Sequence, residues 1–300
     1  MQLKRLHLVN ILGPLVNKPH LPETLSKITL AAIKLDGRVA IITGAGSGIG
    51  KETAFTFAEA GASAIVFADI DEAKIKEAVE ESKKLATDAK YQALVIGVDV
   101  TKAESVQFLI EATVKAFGRV DYCIDVDAYI PFNDSVEATY DKVMDINAKG
   151  AHLVTRAASK QMASQEPRVV AATRGRERNL GRGSIVNVGS ALSYGAVPYK
   201  VGYVTSKHAL LGITKAAAGP AGVRVNLVCP SWVATPIFTE ECNRAPPTAD
   251  FIKAAVSTGR PAEAGEVSEG INFLYSSAAT YINGVGLLID AGLTLTVHLG

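Results

Sequence analysis

Short apolar runs and helical stripes alternate along this chain. Val39–Thr43 is a β-branched run bounded by polar turns. The pattern returns at Ala64–Asp69, Leu94–Thr101, a stretch beginning near Val120, Ser184–Gly189, Val223–Cys229 and Tyr281–Gly292. Continuous Val/Ile-rich runs of this length predict strands covered on both faces of a parallel sheet. Between them, apolar positions recur at helical spacing over Lys51–Ala60, Asp71–Leu85, Lys102–Phe117, Val136–Met162, Lys207–Ala218 and Glu266–Ser276. Regular β–α alternation predicts the α/β class, as a single Rossmann-type doubly wound parallel β-sheet with helices on both faces.

Two segments break the alternation. Gln165–Gly183 carries Arg168, Arg174, Arg176, Arg178 and Arg182 and leads into the amino end of the Ser184 strand. Ligands of doubly wound sheets bind at the carboxyl ends, so a mobile solvated loop is predicted here rather than an anion site. Ile237–Arg260 has poor periodicity and contains Pro246-Pro247. With its flanks, about residues 231–262, it is expected to be an irregular substrate lid. Trp232, Ile237, Phe238 and Phe251 give that lid an apolar character suited to a small apolar substrate.

Three hundred residues, 48% hydrophobic and 20% charged, fit one soluble domain built on one large sheet. Residues 1–33 precede the alternating pattern and are expected to form an N-terminal extension to a domain spanning 34–300. The extension opens with positive charge and an apolar run, but Asn10 and Pro14 interrupt it. It is far shorter than the roughly 20 residues of a membrane span, and no small-residue cleavage site follows. Membrane contact is therefore not expected, and a cytoplasmic location is. A net charge of +1 gives no basic footprint for nucleic acid. Cys123, Cys229 and Cys242 have neither CxxC nor metal-ligand spacing, so reduced thiols and no metal are expected.

Candidate chemistry begins at Thr43-Gly-Ala-Gly-Ser-Gly-Ile-Gly50, between a predicted strand and a predicted helix. Gly44, Gly48 and Gly50, with Ser47 and Ile49 between them, would let a pyrophosphate approach the backbone and the helix N-terminus. Asp69 closes the second strand, where a carboxylate accepts hydrogen bonds from ribose hydroxyls and repels a 2′-phosphate. No Arg or Lys stands at 45–47 or 70–73. NAD is therefore preferred over NADP. Tyr203 and Lys207 share one helix face, and an ammonium beside a phenol lowers the tyrosine pKa from roughly 10. Ser190, at the carboxyl end of its strand, can reach the same substrate oxygen. Tyr199 has no lysine four residues on.

Ser190, Tyr203 and Lys207 at this spacing, within Gly183-Ser-Ile-Val-Asn-Val-Gly-Ser190 and Tyr203-Val-Thr-Ser-Lys-His-Ala-Leu210, resemble the catalytic set of the short-chain dehydrogenase/reductase family. The resemblance runs over about residues 34–295. It implies an NAD(P)-dependent oxidoreductase interconverting a secondary alcohol and a ketone. It also implies that Asn147 holds a water beside Lys207 through its backbone carbonyl. Asp99 and Val100 would contact the adenine side, and Pro230, Val233 and Thr235 the nicotinamide side. Asn226-Leu-Val-Cys-Pro-Ser-Trp-Val233 and the Arg-rich insertion are most similar to fungal secondary-metabolite dehydrogenases, which would imply a terpenoid or polyketide substrate. Family members form homodimers or homotetramers, although Gly219-Pro-Ala-Gly222 ends the catalytic helix about a turn early. Asp125-Val-Asp-Ala128 replaces the usual Asn-Asn-Ala-Gly, and Pro230-Ser231 and Ala291 also depart from family glycines. The altered stretch at 125–128 leaves a second reading open, a catalytically impaired nucleotide-binding homologue serving as sensor or scaffold.

Overall fold

In the computed structural model, residues 34–35, 37–126, 137–171, 176–219, 221–244 and 247–295 are described. The N-terminal extension, Asp127, Ala128 and Arg174 lie outside the described residues.

Each β-branched run forms a strand because both its faces can be covered. In Val39–Thr43 (β1) every residue is buried, with Ala40 and Ile42 packing on one side and Ile41 on the other. The chain continues through Gly48–Glu59 (α1), Ala64–Asp69 (β2), Glu72–Leu85 (α2), Gln92–Gly97 (β3), Ala103–Phe117 (α3) and Tyr122–Val126 (β4). Glu137–Met144 (α4) and Ala151–Ala163 (α5) follow, joined by a π-helical turn over Asp145–Gly150. Next come Arg168–Ala171 (β5), Glu177–Gly181 (β6), Gly183–Val188 (β7), Val201–Ala217 (α6), Val223–Pro230 (β8) and Val233–Ala234 (β9). Pro236–Arg244 (α7), Thr248–Ala255 (α8), Ala262–Glu263 (β10), Ala264–Tyr275 (α9) and Gly286–Ile289 (β11) complete it.

Seven strands pair in the order β11-β8-β7-β4-β1-β2-β3, all parallel. Phe57 of α1 and Val267 and Ile271 of α9 cover one face. Leu109 of α3 and Val154 and Ala158 of α5 cover the other, which makes the sheet doubly wound as predicted. Phe57, Tyr122 and Tyr275 meet edge-on or tilted at centroid distances of 4.6–6.2 Å. The Tyr275 hydroxyl is satisfied inside the core, donating to Cys123 O at 2.5 Å and accepting from Val186 N at 2.8 Å. No described helix is long and apolar enough to cross a membrane.

Five expectations require correction. The Arg-rich insertion is not a free loop: β5 and β6 form an antiparallel hairpin tied to the sheet. Gly181 has φ +84°, and a Cβ there would lie 2.6 Å from Gly222 O, so only glycine lets the hairpin close against that turn. The segment expected to be an irregular lid is helical, as α7 and α8, and its base is closed by β9 pairing with β10. Short helices separated by prolines give little periodicity to read. Helix α6 begins at Val201, before the expected Lys207, and the Val136–Met162 stripe is broken by the π turn. The third strand ends at Gly97, because Asp99 folds back to accept from Thr101 N and Oγ1 at 3.0 and 2.7 Å.

Candidate active site

Carboxyl ends of parallel strands leave their loops on one side of the sheet, and there a cleft of about 1100 Å³ opens. Its lining includes Gly44, Ser47, Gly48, Ile49, Asp69, Asp99, Val100, Ser190, Tyr203, Lys207, Pro230, Val233 and Thr235. Gly50 and Asn147 are the two predicted site residues that do not line it.

Gly50 supports the loop from behind. A Cβ at Gly50 would fall 2.2 Å from Gly44 O, which no relaxation of a side chain can relieve. Gly44 has φ +64°, and a Cβ there would lie 2.8 Å from Val126 O. Asp69 holds this loop from the other side: Oδ2 accepts from Gly46 N and Oδ1 from Asp71 N, each at 3.0 Å. Each carboxylate oxygen keeps further acceptor capacity toward the cleft. Asp71, rather than Asp69, caps α2, and the Lys74 backbone N–H it accepts from holds its carboxyl below the usual range. Lys74, just beyond residues 70–73, packs beside Gly46 and pairs with Asp71 at 3.2 Å.

Ser190 sits just past β7 in extended conformation, 8% exposed. Its Oγ accepts from Leu192 N at 3.1 Å, and Ser193 Oγ accepts from Ser190 N at 3.3 Å. This reciprocal cap fixes the serine before any substrate arrives. Ser193 was missed in the sequence, although the Ser190-x-x-Ser193 spacing carries the signal. Tyr203 occupies the first turn of α6 and Lys207 the second. The Lys207 ammonium lies 5.5 Å from the Tyr203 ring centroid and donates to Val188 O at 3.0 Å. Lys207 is 4% exposed, so its charge acts in a weakly screened setting.

Asn147 is fully buried in the π turn, where Nδ2 donates to Ser206 Oγ at 3.3 Å and Ser206 Oγ donates to Tyr203 O at 2.7 Å. It therefore braces the catalytic helix, while its neighbours Asp145 and Ile146 line the cleft. Gly150 ends the π turn against Val100, whose Cγ2 would lie 2.8 Å from an added Cβ.

Asp125 does not line the cleft. It is 2% exposed and lies behind Thr43, whose Oγ1 donates to Asp125 Oδ1 at 2.7 Å and accepts from Val126 N at 3.1 Å. Of the two described residues of this departure, Val126 is the one that reaches the cleft. At position 125 the departure therefore bears on the support of the loop.

Trp232 and Phe251 meet edge-to-face at 5.7 Å across the lid, and Ile237 and Phe238 join them in the lining. A half-buried ion pair, Lys200 Nζ to Glu241 Oε1 at 2.8 Å, ties α7 to the entrance of α6. Neither partner was singled out in the sequence, because they lie far apart in it and carry no motif. Cys229 lies behind the serine, and burial pushes its thiol up to about 11.

A family model described as enoyl-(acyl carrier protein) reductase matches residues 44–294. The chain is 39% identical to short-chain dehydrogenase fogB of Aspergillus ruber, over 86% of this chain and 97% of that one. Among solved structures it resembles levodione reductase, with TM-score 0.77, 27% identity and coverage of 88% of this chain and 100% of that one. It also resembles the 3-ketoacyl-(acyl-carrier-protein) reductase of Brucella melitensis complexed with NADH, with TM-score 0.71, 28% identity and coverage of 87% and 100%. With the glycine-rich loop, the seven-stranded sheet and a match across most of its length, the chain belongs to the short-chain dehydrogenase/reductase family of oxidoreductases.

Proposed function

We propose that this enzyme interconverts a secondary alcohol and a ketone on a small apolar molecule, using NAD in preference to NADP. The observation that carries the reading is a single cleft holding the Gly44–Gly50 loop at one end and Ser190, Tyr203 and Lys207 at the other. The glycine loop is a cradle that side chains would fill, which fits a pyrophosphate approaching the backbone. The nicotinamide cofactor supplies hydride acceptance and donation when bound. The chain's own residues hold the substrate and move its proton. Ser190 Oγ–H donates to the substrate oxygen. Tyr203 takes the hydroxyl proton in oxidation and returns it in reduction. Lys207, fixed by Val188 O, stabilises negative charge on the tyrosine oxygen. Asn147 keeps α6 in register through Ser206, and its backbone carbonyl is assigned to the proton path beside Lys207.

The finer assignments rest on the same cleft. Gly44, Ser47, Gly48, Ile49 and Gly50 would take the phosphates, Asp69 the adenosine ribose, Asp99 and Val100 the adenine side, and Pro230, Val233 and Thr235 the nicotinamide end. Trp232, Ile237, Phe238 and Phe251 support an apolar substrate, and the fungal relative is compatible with a terpenoid or polyketide of secondary metabolism. Residues 34–300 are assigned to the catalytic domain behind an N-terminal extension, in a cytoplasmic homodimer or homotetramer.

A fluorescence titration with NADH and, separately, NADPH tests this reading. Tight NADH binding with weak NADPH binding is expected. Preference for NADPH would assign the counter-charge to Lys74 and remove Asp69 as selector. Binding of neither would sink the oxidoreductase assignment for this cleft.

A further inference from the structure

The opposite end of the sheet carries a second built feature. Arg38 precedes β1 and Asp121 precedes β4, while Ser184 and Arg224 are the second residues of β7 and β8. The strand register places them side by side, with Tyr122 opposite Ser184 and Ser184 opposite Arg224. The Arg-rich hairpin closes over them and adds Arg168 and Arg182. Together they line a small cavity of about 20 Å³, room for roughly one water-sized sphere.

Charge in this cavity is unbalanced. Among the described residues that line it there are four guanidinium groups and one carboxylate. That carboxylate is already saturated: Asp121 accepts from Val39 N, Arg119 Nε, and Arg168 Nε and Nη2, at 2.7–3.0 Å. Arg182 donates to Gln165 O, and Arg224 Nη1 to Ile282 O at 3.3 Å, so both face neutral acceptors. Arg38 is 8% exposed and makes no side-chain hydrogen bond among the described residues. Arg224 Nε and Ser184 Oγ are buried without a partner, and Arg224 as a whole is also 8% exposed. Buried cations with orphan donors are costly unless a counter-ion sits among them. A water molecule would satisfy a donor and leave the charge in place.

We propose that this cavity binds a small inorganic anion of halide size, held by Arg38, Arg224 and Ser184 beneath the hairpin. Its volume suits a monatomic ion and is too small for a bulky organic anion. The site is distinct from the cleft, which opens at the other end of the same strands. Its anion acts as counter-ion to the hairpin, coupling closure of that roof to the ions present rather than to turnover.

Diffraction from crystals of the full chain grown in sodium bromide reads the site directly. An anomalous peak is expected inside the cavity, within hydrogen-bond reach of Arg38 and Arg224. In solution, replacing sodium gluconate by sodium chloride at constant ionic strength is expected to raise the thermal midpoint saturably, by about 2–4 °C. Arg38→Gln removes one charge without breaking a described side-chain hydrogen bond, and Ser184→Ala removes one donor that has no partner. Both are expected to fold cooperatively and to lose most of the chloride response. A cavity that holds no bromide, or a chloride response of equal size in Arg38→Gln, overturns the proposal.

Discussion

The two ends of this sheet are made from the same strands and hold opposite kinds of chemistry. At the carboxyl ends, bare glycine backbone, hydroxyls and one buried ammonium surround a large open cleft. At the amino ends, guanidinium groups crowd one carboxylate around a cavity the size of a water molecule. The first arrangement leaves polar groups available to a ligand that enters and leaves. The second uses Asp121, Arg168 and Arg182 to fasten a hairpin to the sheet, and leaves Arg224 Nε and Ser184 Oγ without a protein partner. Changes at one end should therefore move turnover, and changes at the other should move stability.

Tyr203→Phe is the sharpest way to break that division. On the proposed role of Tyr203 as proton carrier, removing its hydroxyl should lower kcat on the order of 10²–10⁴-fold, while the thermal midpoint and the NADH titration stay at wild-type values. Retained turnover would take the tyrosine out of the chemistry. Its mirror image is Asp121→Asn. The Asp121 side chain is 4% exposed and faces Arg119 and Arg168, which are themselves half-buried, so neutralising it leaves two partly screened cations without their anion and should cost about 1–3 kcal/mol. Urea unfolding measures this. The protein that remains folded should keep its specific activity, and a selective loss of activity would show that the amino end communicates with the cleft.

Cys229 lies at the cleft end yet should affect stability alone. Burial raises its folded pKa to about 11, above the ordinary thiol value of 9.0. The stabilisation is fully present below pH 9 and is lost as the pH rises toward 11, because the unfolded chain then releases a proton that the folded chain retains. The difference amounts to about 2–3 kcal/mol. Thermal midpoints of wild type and Cys229→Ala between pH 8 and 11 should converge as the pH rises. Parallel curves would mean that the thiol ionises as easily folded as unfolded.

The carboxyl end was legible in the sequence because its parts are local. Gly44–Gly50 is one turn, Tyr203 and Lys207 share one helix face, and Ser190 follows a strand that declares itself by its β-branched run. The alternation of strands and helices likewise predicted the sheet, since each run must be covered on both faces. The amino end was not legible. Arg38, Asp121, Arg168, Ser184 and Arg224 come from five segments, and only the strand register brings them together. An arginine-rich insertion with no visible partner reads as solvated, and its partner Asp121 lies in another strand. The lid helices were missed for a related reason: α7 buries no residue, so it leaves no apolar stripe to find. Asn147 was read for its carbonyl, whereas its described side-chain bond reaches Ser206, a contact set by the packing of two helices.

Asp125 tests whether a departure from a family pattern must act at the cleft, and the smallest effect is expected there. In the sequence an aspartate for the usual asparagine trades a side-chain donor for an anion, so hydrogen bonds made by the amide would be lost. In the structure its Oδ1 accepts the Thr43 hydroxyl, and that hydroxyl accepts Val126 N, so the side chain splices the end of β1 to the end of β4. Asparagine offers the same acceptor through its own Oδ1. Asp125→Asn would weaken a charge-assisted bond and at the same time relieve the burial of a charge, two terms of opposite sign. The net change in stability should stay within about 1 kcal/mol, with NADH affinity altered less than about threefold. Thr43→Val is the control. It strips Val126 N of its acceptor next to the point where Gly44 meets Val126 O, and should cost about 1–3 kcal/mol and weaken NADH as well. If Asp125→Asn shifts NADH affinity tenfold while Thr43→Val does not, the charge reaches the cleft directly and the splice is incidental. If the order is as expected, the loop depends on an acceptor at position 125 and not on its charge.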